Sequence, residues 1–343
     1  MIPPSPHAAQ LAAKPLTRSS LDVLGGTTEL WTYGPVAGDT GESGGSDDGG
    51  SPAAGVVARD SAPTILLVHG FRGDHHGLEP IAARLPGFTV IVPDLPGFGI
   101  STPLKRTHDI AGYSAWLRDL VSQLDLGPDA VILGHSFGSI IVAAALAGGL
   151  EAERVILVNP IAAPALSGPR GILTRLAVFY YKVGAWLPQK LGFAWLRLAL
   201  VTRFISITMA KTKNRALRAW IHDQHHRYFG AFSNRAVVVE AFEASVSNDV
   251  SEFAAQITPP TLLIAGDRDD ITPVAAEERL ATLIPDARLV VLHGVGHLIH
   301  YERPVEAARA ISAFVAERQA RQALKEREPH GAQAAKPSGK HSA

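Results

Sequence analysis

The chain has 343 residues, 46% of them hydrophobic, and its 32 basic and 32 acidic side chains cancel to a formal charge of zero. That content can bury a sizeable core, and the balance gives no global field to draw in nucleic acid. The absence of cysteine excludes disulfides, thiolate metal sites and a thiol nucleophile.

Residues 1–20 scatter proline and serine without a period and predict a flexible arm. No apolar stretch follows a basic start there, so no signal peptide is expected. No run of about 18 apolar residues is free of charge, which argues against a spanning helix. A soluble, cytoplasmic protein is the expectation. Thr28–Tyr33 reads as an early strand, and the Gly/Ser/Asp-rich stretch within 35–61 reads as a disordered loop.

Thr64–Val68 is a continuous apolar run, as a strand buried on both faces would be, and it ends in His69-Gly70-Phe71-Arg72-Gly73-Asp74. A helical stretch to Leu85 follows, then a strand over Phe88–Val92 and the loop Asp94-Leu95-Pro96-Gly97-Phe98-Gly99. Trp116, Leu117, Leu120, Val121 and Leu124 predict a helix over Tyr113–Leu126. Val131-Ile132-Leu133 then leads into Gly134-His135-Ser136-Phe137-Gly138, an Ala-rich helical run, and a strand over Val155–Val158.

From Pro160 to about Ile257 the rhythm gives way to several aromatic-rich helices. It returns with strand Thr261–Ala265, helix Ala275–Leu283, strand Arg288–Leu292 and a last helix over Pro304–Gln319. This pattern predicts an α/β fold: a mostly parallel, doubly wound sheet with an inserted helical cap. The core spans 21–159 and 258–320, the cap 160–257, and 321–343 is expected to be a disordered tail. Functional loops then lie at the C-terminal ends of the strands.

Gly134-x-Ser136-x-Gly138 between a strand and a helix is the context of a nucleophile elbow, although the motif alone is weak. Two further strand ends carry partners for it. One reads Gly266-Asp267-Arg268-Asp269-Asp270-Ile271-Thr272-Pro273, the other Gly294-Val295-Gly296-His297. A serine hydroxyl needs a base to take its proton, and the base needs an acid to fix its tautomer. The chain order Ser, acid, His belongs to one of the folds that converged on this triad.

On these pieces, together with His69-Gly70-Phe71 and Asp94-x-Pro96-Gly97-x-Gly99, the chain resembles the α/β-hydrolase fold family over roughly residues 25–320. Each piece is weak, but five in order at strand ends are specific. The resemblance implies Ser136 as nucleophile, His297 as general base and Asp269 as the acid. It implies the backbone N–H groups of Phe71 and Phe137 as oxyanion donors, and neither cofactor nor metal. Asp267 and Asp270 then read as loop-capping or solvated, and His293 as part of its strand. His300 would lie in the following loop, covering the site. Some relatives place the acid after the preceding strand, but that position here is Asn159-Pro160. His69 and Gly70 are expected to shape their loop, and Asp94 to be structural.

Between Glu153 and Asp223 there is no acidic residue, while Arg and Lys recur among Leu, Ile, Trp, Phe and Tyr. This basic, amphipathic cap either snorkels its cations into water or lines an acyl pocket and leans on an anionic membrane. His222, His225 and His226 read as a solvated helix face rather than a metal site. The implied activity is that of an esterase- or lipase-like serine hydrolase acting on an apolar small-molecule ester. Carbon–carbon bond hydrolases of ring-cleavage products, perhydrolase-type haloperoxidases and acyltransferases share the triad. A non-catalytic lipid binder on the same fold is the alternative from another class.

Overall fold

Apolar runs long enough to cross a sheet once, separated by helical stretches, build parallel strands covered on both faces. The computed structural model describes residues 4–34, 62–164 and 171–327, without the side chains of 171–174 and 318–327. Its strands are β1 (Leu16–Val23), β2 (Gly26–Tyr33), β3 (Thr64–Val68), β4 (Thr89–Pro93), β5 (Val131–His135), β6 (Arg154–Val158), β7 (Thr261–Gly266) and β8 (Ala287–Leu292). They form one sheet in the order β1-β2-β4-β3-β5-β6-β7-β8. β1 and β2 are antiparallel and β2 joins β4 antiparallel; the strands from β4 to β8 run parallel.

Side chains alternate across a strand, and here the alternation feeds two cores. Leu66, Val68, Ile132, Val155 and Leu157 face one cluster with Trp116, Ile140 and Val238. Ile65, Leu67, Val131, Leu133, Ile156 and Val158 face the other, with Ile81, Ile311 and Phe314. The helices are α1 (Ala8–Ala12), α2 (Glu79–Ala82), α3 (Ile110–Gln123), α4 (Phe137–Ala147), α5 (Gly171–Trp186), α6 (Gln189–Leu196), α7 (Ala199–Met209), α8 (Arg215–Tyr228), α9 (Arg235–Ser247), α10 (Val274–Leu283), α11 (Ile299–Glu302) and α12 (Pro304–Arg327). α5 to α9 are the inserted cap.

Two expectations are corrected. The arm over 1–20 is not loose where it is described, because α1 forms there and β1 pairs with β2 from Leu16 onward. β1 is an edge strand with mostly exposed side chains, so it carries no apolar alternation to read. His7, ahead of α1, is buried edge-on against Trp220 of the cap at 5.0 Å. The last helix also passes Arg321 and continues to Arg327, since residues 320–327 are good helix formers with no breaker among them. The expected disordered loop 35–61 and the tail from 328 lie outside the described residues.

The elbow is where packing is tightest. A Cβ on Gly138 would lie 2.3 Å from the Val68 carbonyl oxygen, and one on Gly134 would lie 2.6 Å from that of Gly138. α4 therefore begins in backbone contact with β3, which only glycine permits. Gly138→Ala is expected to lower stability by about 2–4 kcal/mol; a urea midpoint equal to that of the unsubstituted chain would contradict this packing.

Candidate active site

Six loops converge at the C-terminal edge of the parallel strands, and three supply the predicted triad. Ser136 follows β5 with φ of 53° and ψ of −118°, a left-handed conformation that costs a non-glycine residue of order 1–3 kcal/mol. Its side chain is turned off the end of the strand toward the loop after β8. His297 Nε2 lies 2.7 Å from Ser136 Oγ, and His297 Nδ1 lies 2.7 Å from Asp269 Oδ2. A carboxylate only accepts hydrogen bonds, so Nδ1–H donates to Asp269 and Nε2 is left facing the serine hydroxyl.

Backbone contact again explains how two distant loops meet. A Cβ on Gly266, the last residue of β7, would lie 2.5 Å from the Val295 carbonyl oxygen. The turn bearing His297 is thereby laid directly on the turn bearing Asp269. Asp269 is buried; its Oδ1 accepts from the N–H groups of Ile271 at 2.8 Å and Thr272 at 3.2 Å. Burial alone would push this carboxyl up, but the charge and hydrogen bond of His297, with the two backbone donors, hold it below its ordinary value.

Asn159 is a member of the site that the sequence offered only as an argument against an acid at its position. It follows β6 at φ of 46°, and its Nδ2 donates to Asp269 Oδ2 at 2.9 Å and to the Gly296 carbonyl at 3.2 Å. One amide therefore braces both the loop of Asp269 and the loop of His297. A lone Asn before Pro has no pattern that could have announced this.

Phe137 opens α4, so its N–H has no acceptor within the helix. Phe71 lies in the loop after β3 and lines the same cavity as Ser136 and His297. That loop is fixed by His69, whose Nδ1–H donates to the Gly70 carbonyl at 2.8 Å while Nε2 accepts from the Leu95 N–H at 2.8 Å. Both nitrogens are spent on shaping backbone.

Arg72, the next residue but one after Gly70, is buried with φ of 60°. It donates to the carbonyls of Phe229 at 2.8 Å and Leu196 at 3.0 Å and to the Tyr181 hydroxyl at 3.2 Å. Three separate cap segments are thus tied to the loop that carries Phe71, a role with no signature in the sequence. Asp94 is fully buried and accepts from the backbone and ring of His75 and from the Ile100 N–H. A Cβ on Gly99 would fall 1.9 Å from its Oδ2, which accounts for the Asp94…Gly99 spacing.

The remaining predicted residues separate cleanly. Asp267 accepts from the Gly294 N–H and from the exposed His293, and Asp270 pairs with Lys211 of the cap. β8 ends at Leu292, so His293 lies just past the strand rather than within it. His300 sits in α11, not in a loop, and is buried edge-on to His135 at 4.2 Å. His225 is not on a solvated face: it is buried, with Nδ1 2.7 Å from Ser206 Oγ. Tertiary packing from α7, invisible in a local pattern, turns it inward. Asp74, His75 and His76 have potential metal-ligand atoms within 4.8 Å of one another. Those of His75 and His76 are engaged with Asp94 and Asp74.

The cavity has a volume of about 230 Å³, and Phe71, Tyr181, Met209, Phe242 and Leu298 are among its lining residues. Histidines 135, 225 and 300 also line it. Burial, with a smaller contribution from His297, brings His135 down to about 3. Burial, then His222, brings His225 down to about 3. His300 is lowered by burial and by the neighbouring rings. These imidazoles stay uncharged in the fold, whereas in the unfolded chain they protonate below about pH 6.5.

Their contribution to stability is therefore complete above about pH 6.5 and drains as the pH falls from there toward about 3. His135 and His225 are each expected to cost roughly 1.4 kcal/mol per pH unit in that window. Urea unfolding between pH 7 and pH 4.5 measures this; a midpoint that does not move would contradict the neutral, buried assignment.

Residues 65–310 match the profile of the alpha/beta hydrolase family. Lipase 3 of Moraxella sp. (strain TA144) is 24% identical over 265 residues, covering 73% of this chain and 76% of that protein. Lipase 1 of Psychrobacter immobilis is 24% identical over 258 residues, with the same coverage of 73% and 76%. An esterase from Exiguobacterium antarcticum superposes with a TM-score of 0.66 at 18% identity, over 88% of this chain and all of that one. With its eight-stranded sheet, helices on both faces and this matched span, the chain belongs to the alpha/beta hydrolase family.

Proposed function

We propose that the protein is a serine hydrolase that cleaves carboxylic esters or related acyl compounds with an apolar portion, through an acyl-enzyme on Ser136. The observation that carries this reading is the pair of 2.7 Å contacts from Ser136 through His297 to Asp269 beside an aromatic-lined cavity.

In this reading Ser136 Oγ attacks the acyl carbon while its proton passes to His297 Nε2, and Asp269 stays ionised to stabilise the imidazolium. The N–H groups of Phe71 and Phe137 hold the oxyanion, each donor worth about 3–4 kcal/mol in comparable sites. As the tetrahedral intermediate collapses, the bond to the leaving oxygen breaks and His297 returns the proton to it. Water then gives a proton to His297, attacks the ester on Ser136, and releases the acid with the serine restored.

The lining argues for an uncharged, apolar acyl part. Tyr181 and Phe242 stack at 3.8 Å, and Phe71 joins them at 5.9 Å from each. Among the described lining residues Arg72 alone carries a permanent positive charge, and its guanidinium is committed to Phe229, Leu196 and Tyr181. Among the described residues, a substrate carboxylate, as on a ring-cleavage dienoate, would find no uncommitted arginine or lysine lining the cavity, which favours a carboxylesterase- or lipase-like activity (EC 3.1.1) over carbon–carbon bond hydrolysis.

Ser136→Ala is expected to abolish both p-nitrophenyl ester turnover and labelling by a fluorophosphonate probe, with a loss of about 10⁴-fold or more. Undiminished turnover in that variant would remove the nucleophile. A folded, unsubstituted chain that never reacts with the probe would favour the non-catalytic lipid binder.

A further inference from the structure

The cap carries a second surface that the reaction does not use. A helix in water turns its apolar side inward, yet α7 keeps much of its own outside. Its buried positions Thr202 and Ser206 carry hydroxyls, and Ser206 Oγ meets His222 Nδ1 at 2.6 Å and His225 Nδ1 at 2.7 Å. Leu200, Phe204 and Ile207, spaced as one helical stripe, are exposed, Leu200 by 80%. α5 repeats the arrangement. Its Ala177 and Tyr181 line the cavity while Phe179 and Trp186 stand 64% and 85% exposed, and Leu191 of α6 is exposed beyond them.

Single exposed apolar side chains are ordinary, but a run of them on consecutive helices marks a surface with a partner. Charge identifies that partner. No Asp or Glu occurs from Arg154 to His222. Arg175, Lys182, Lys190 and Arg203 are exposed on the same three helices and pair with no carboxylate among the described residues. A second copy of the chain on this face would set like charges against each other. An anionic phospholipid surface supplies both complements: headgroup phosphates for the cations and acyl chains for the aromatic and aliphatic side chains.

Within Gln189–Met209 the most apolar window of 18 residues has a mean hydropathy of 1.4, and only 22% of it is buried. The stretch is broken between Leu196 and Ala199 and carries Lys190, Arg197 and Arg203. Those features suit a segment lying along the interface, where cations reach the headgroups, rather than one crossing it.

We propose that the outer face of α5, α6 and α7 seats the protein on an anionic phospholipid bilayer, with Phe179, Trp186, Leu191, Leu200, Phe204 and Ile207 entering the headgroup–acyl boundary. α7 is then a wall shared by the bilayer and the cavity, since its Ile205 and Met209 line the latter. The seating rests on the surface alone and stands whether or not Ser136 is a nucleophile.

Sedimentation of the full chain with vesicles tests it, because the readout is binding rather than turnover. Vesicles containing about one-third phosphatidylglycerol are expected to bind at least about tenfold more tightly than pure phosphatidylcholine, and less so as salt rises. The double variant Leu200→Ser/Phe204→Ser should lose about tenfold or more of that binding while keeping the thermal midpoint of the unsubstituted chain. Arg175→Gln/Lys182→Gln/Lys190→Gln should erase the preference for anionic lipid. Binding to neither vesicle, equal binding to both, or binding indifferent to both variants would overturn the proposal. So would a dimer in ultracentrifugation that Leu200→Ser dissociates, because the face would then be occupied by a second copy.

Discussion

The site depends on one close approach: the start of α4 against the end of β3. Because Gly138 lies on the Val68 carbonyl, the chain must turn from β5 into α4 within a single residue, and that residue is Ser136 at positive φ. Three consequences follow from the same turn. The hydroxyl is lifted off the sheet, the first free N–H of α4 is placed beside it, and the loop after β3 with Phe71 is held alongside. A looser junction would relax the strain and scatter all three.

Around this turn the electrostatics are asymmetric by construction. Asp269 sits among donors: His297, Asn159 and two backbone N–H groups. The carboxylate is kept charged in a buried place, at the cost of ordering four partners. Three further imidazoles along the cavity, His135, His225 and His300, are kept neutral by burial. Neutral rings do not compete with His297 for the carboxylate, and they leave the cavity wall compatible with an apolar ligand.

What could be read from the sequence was whatever is enforced locally. Gly134, Gly138 and Gly266 are glycines because backbone meets backbone there, and such constraints leave a fixed spacing in the chain. Double-sided burial of β3, β5, β6 and β7 likewise leaves continuous apolar runs. What could not be read depends on contacts between distant segments. β1 is an exposed edge with no buried alternation. Asn159 braces two loops more than a hundred residues downstream. Arg72 ties three cap segments, and His225 is turned inward by Ser206 of a neighbouring helix. The cap was legible as helical, basic and aromatic, but not in which side chains it turns toward the cavity and which toward the outside.

In the proposed reaction Ser136 carries the acyl group between two half-reactions. Rapid quenching of the enzyme with a p-nitrophenyl ester, followed by peptide mass analysis, tests it most directly. A burst of about one equivalent of p-nitrophenol per protein is expected wherever deacylation is the slower step. A mass increase equal to the acyl group is expected on the peptide containing Ser136. Acyl mass on another residue, or a burst of p-nitrophenol with no adduct on that peptide, would contradict it.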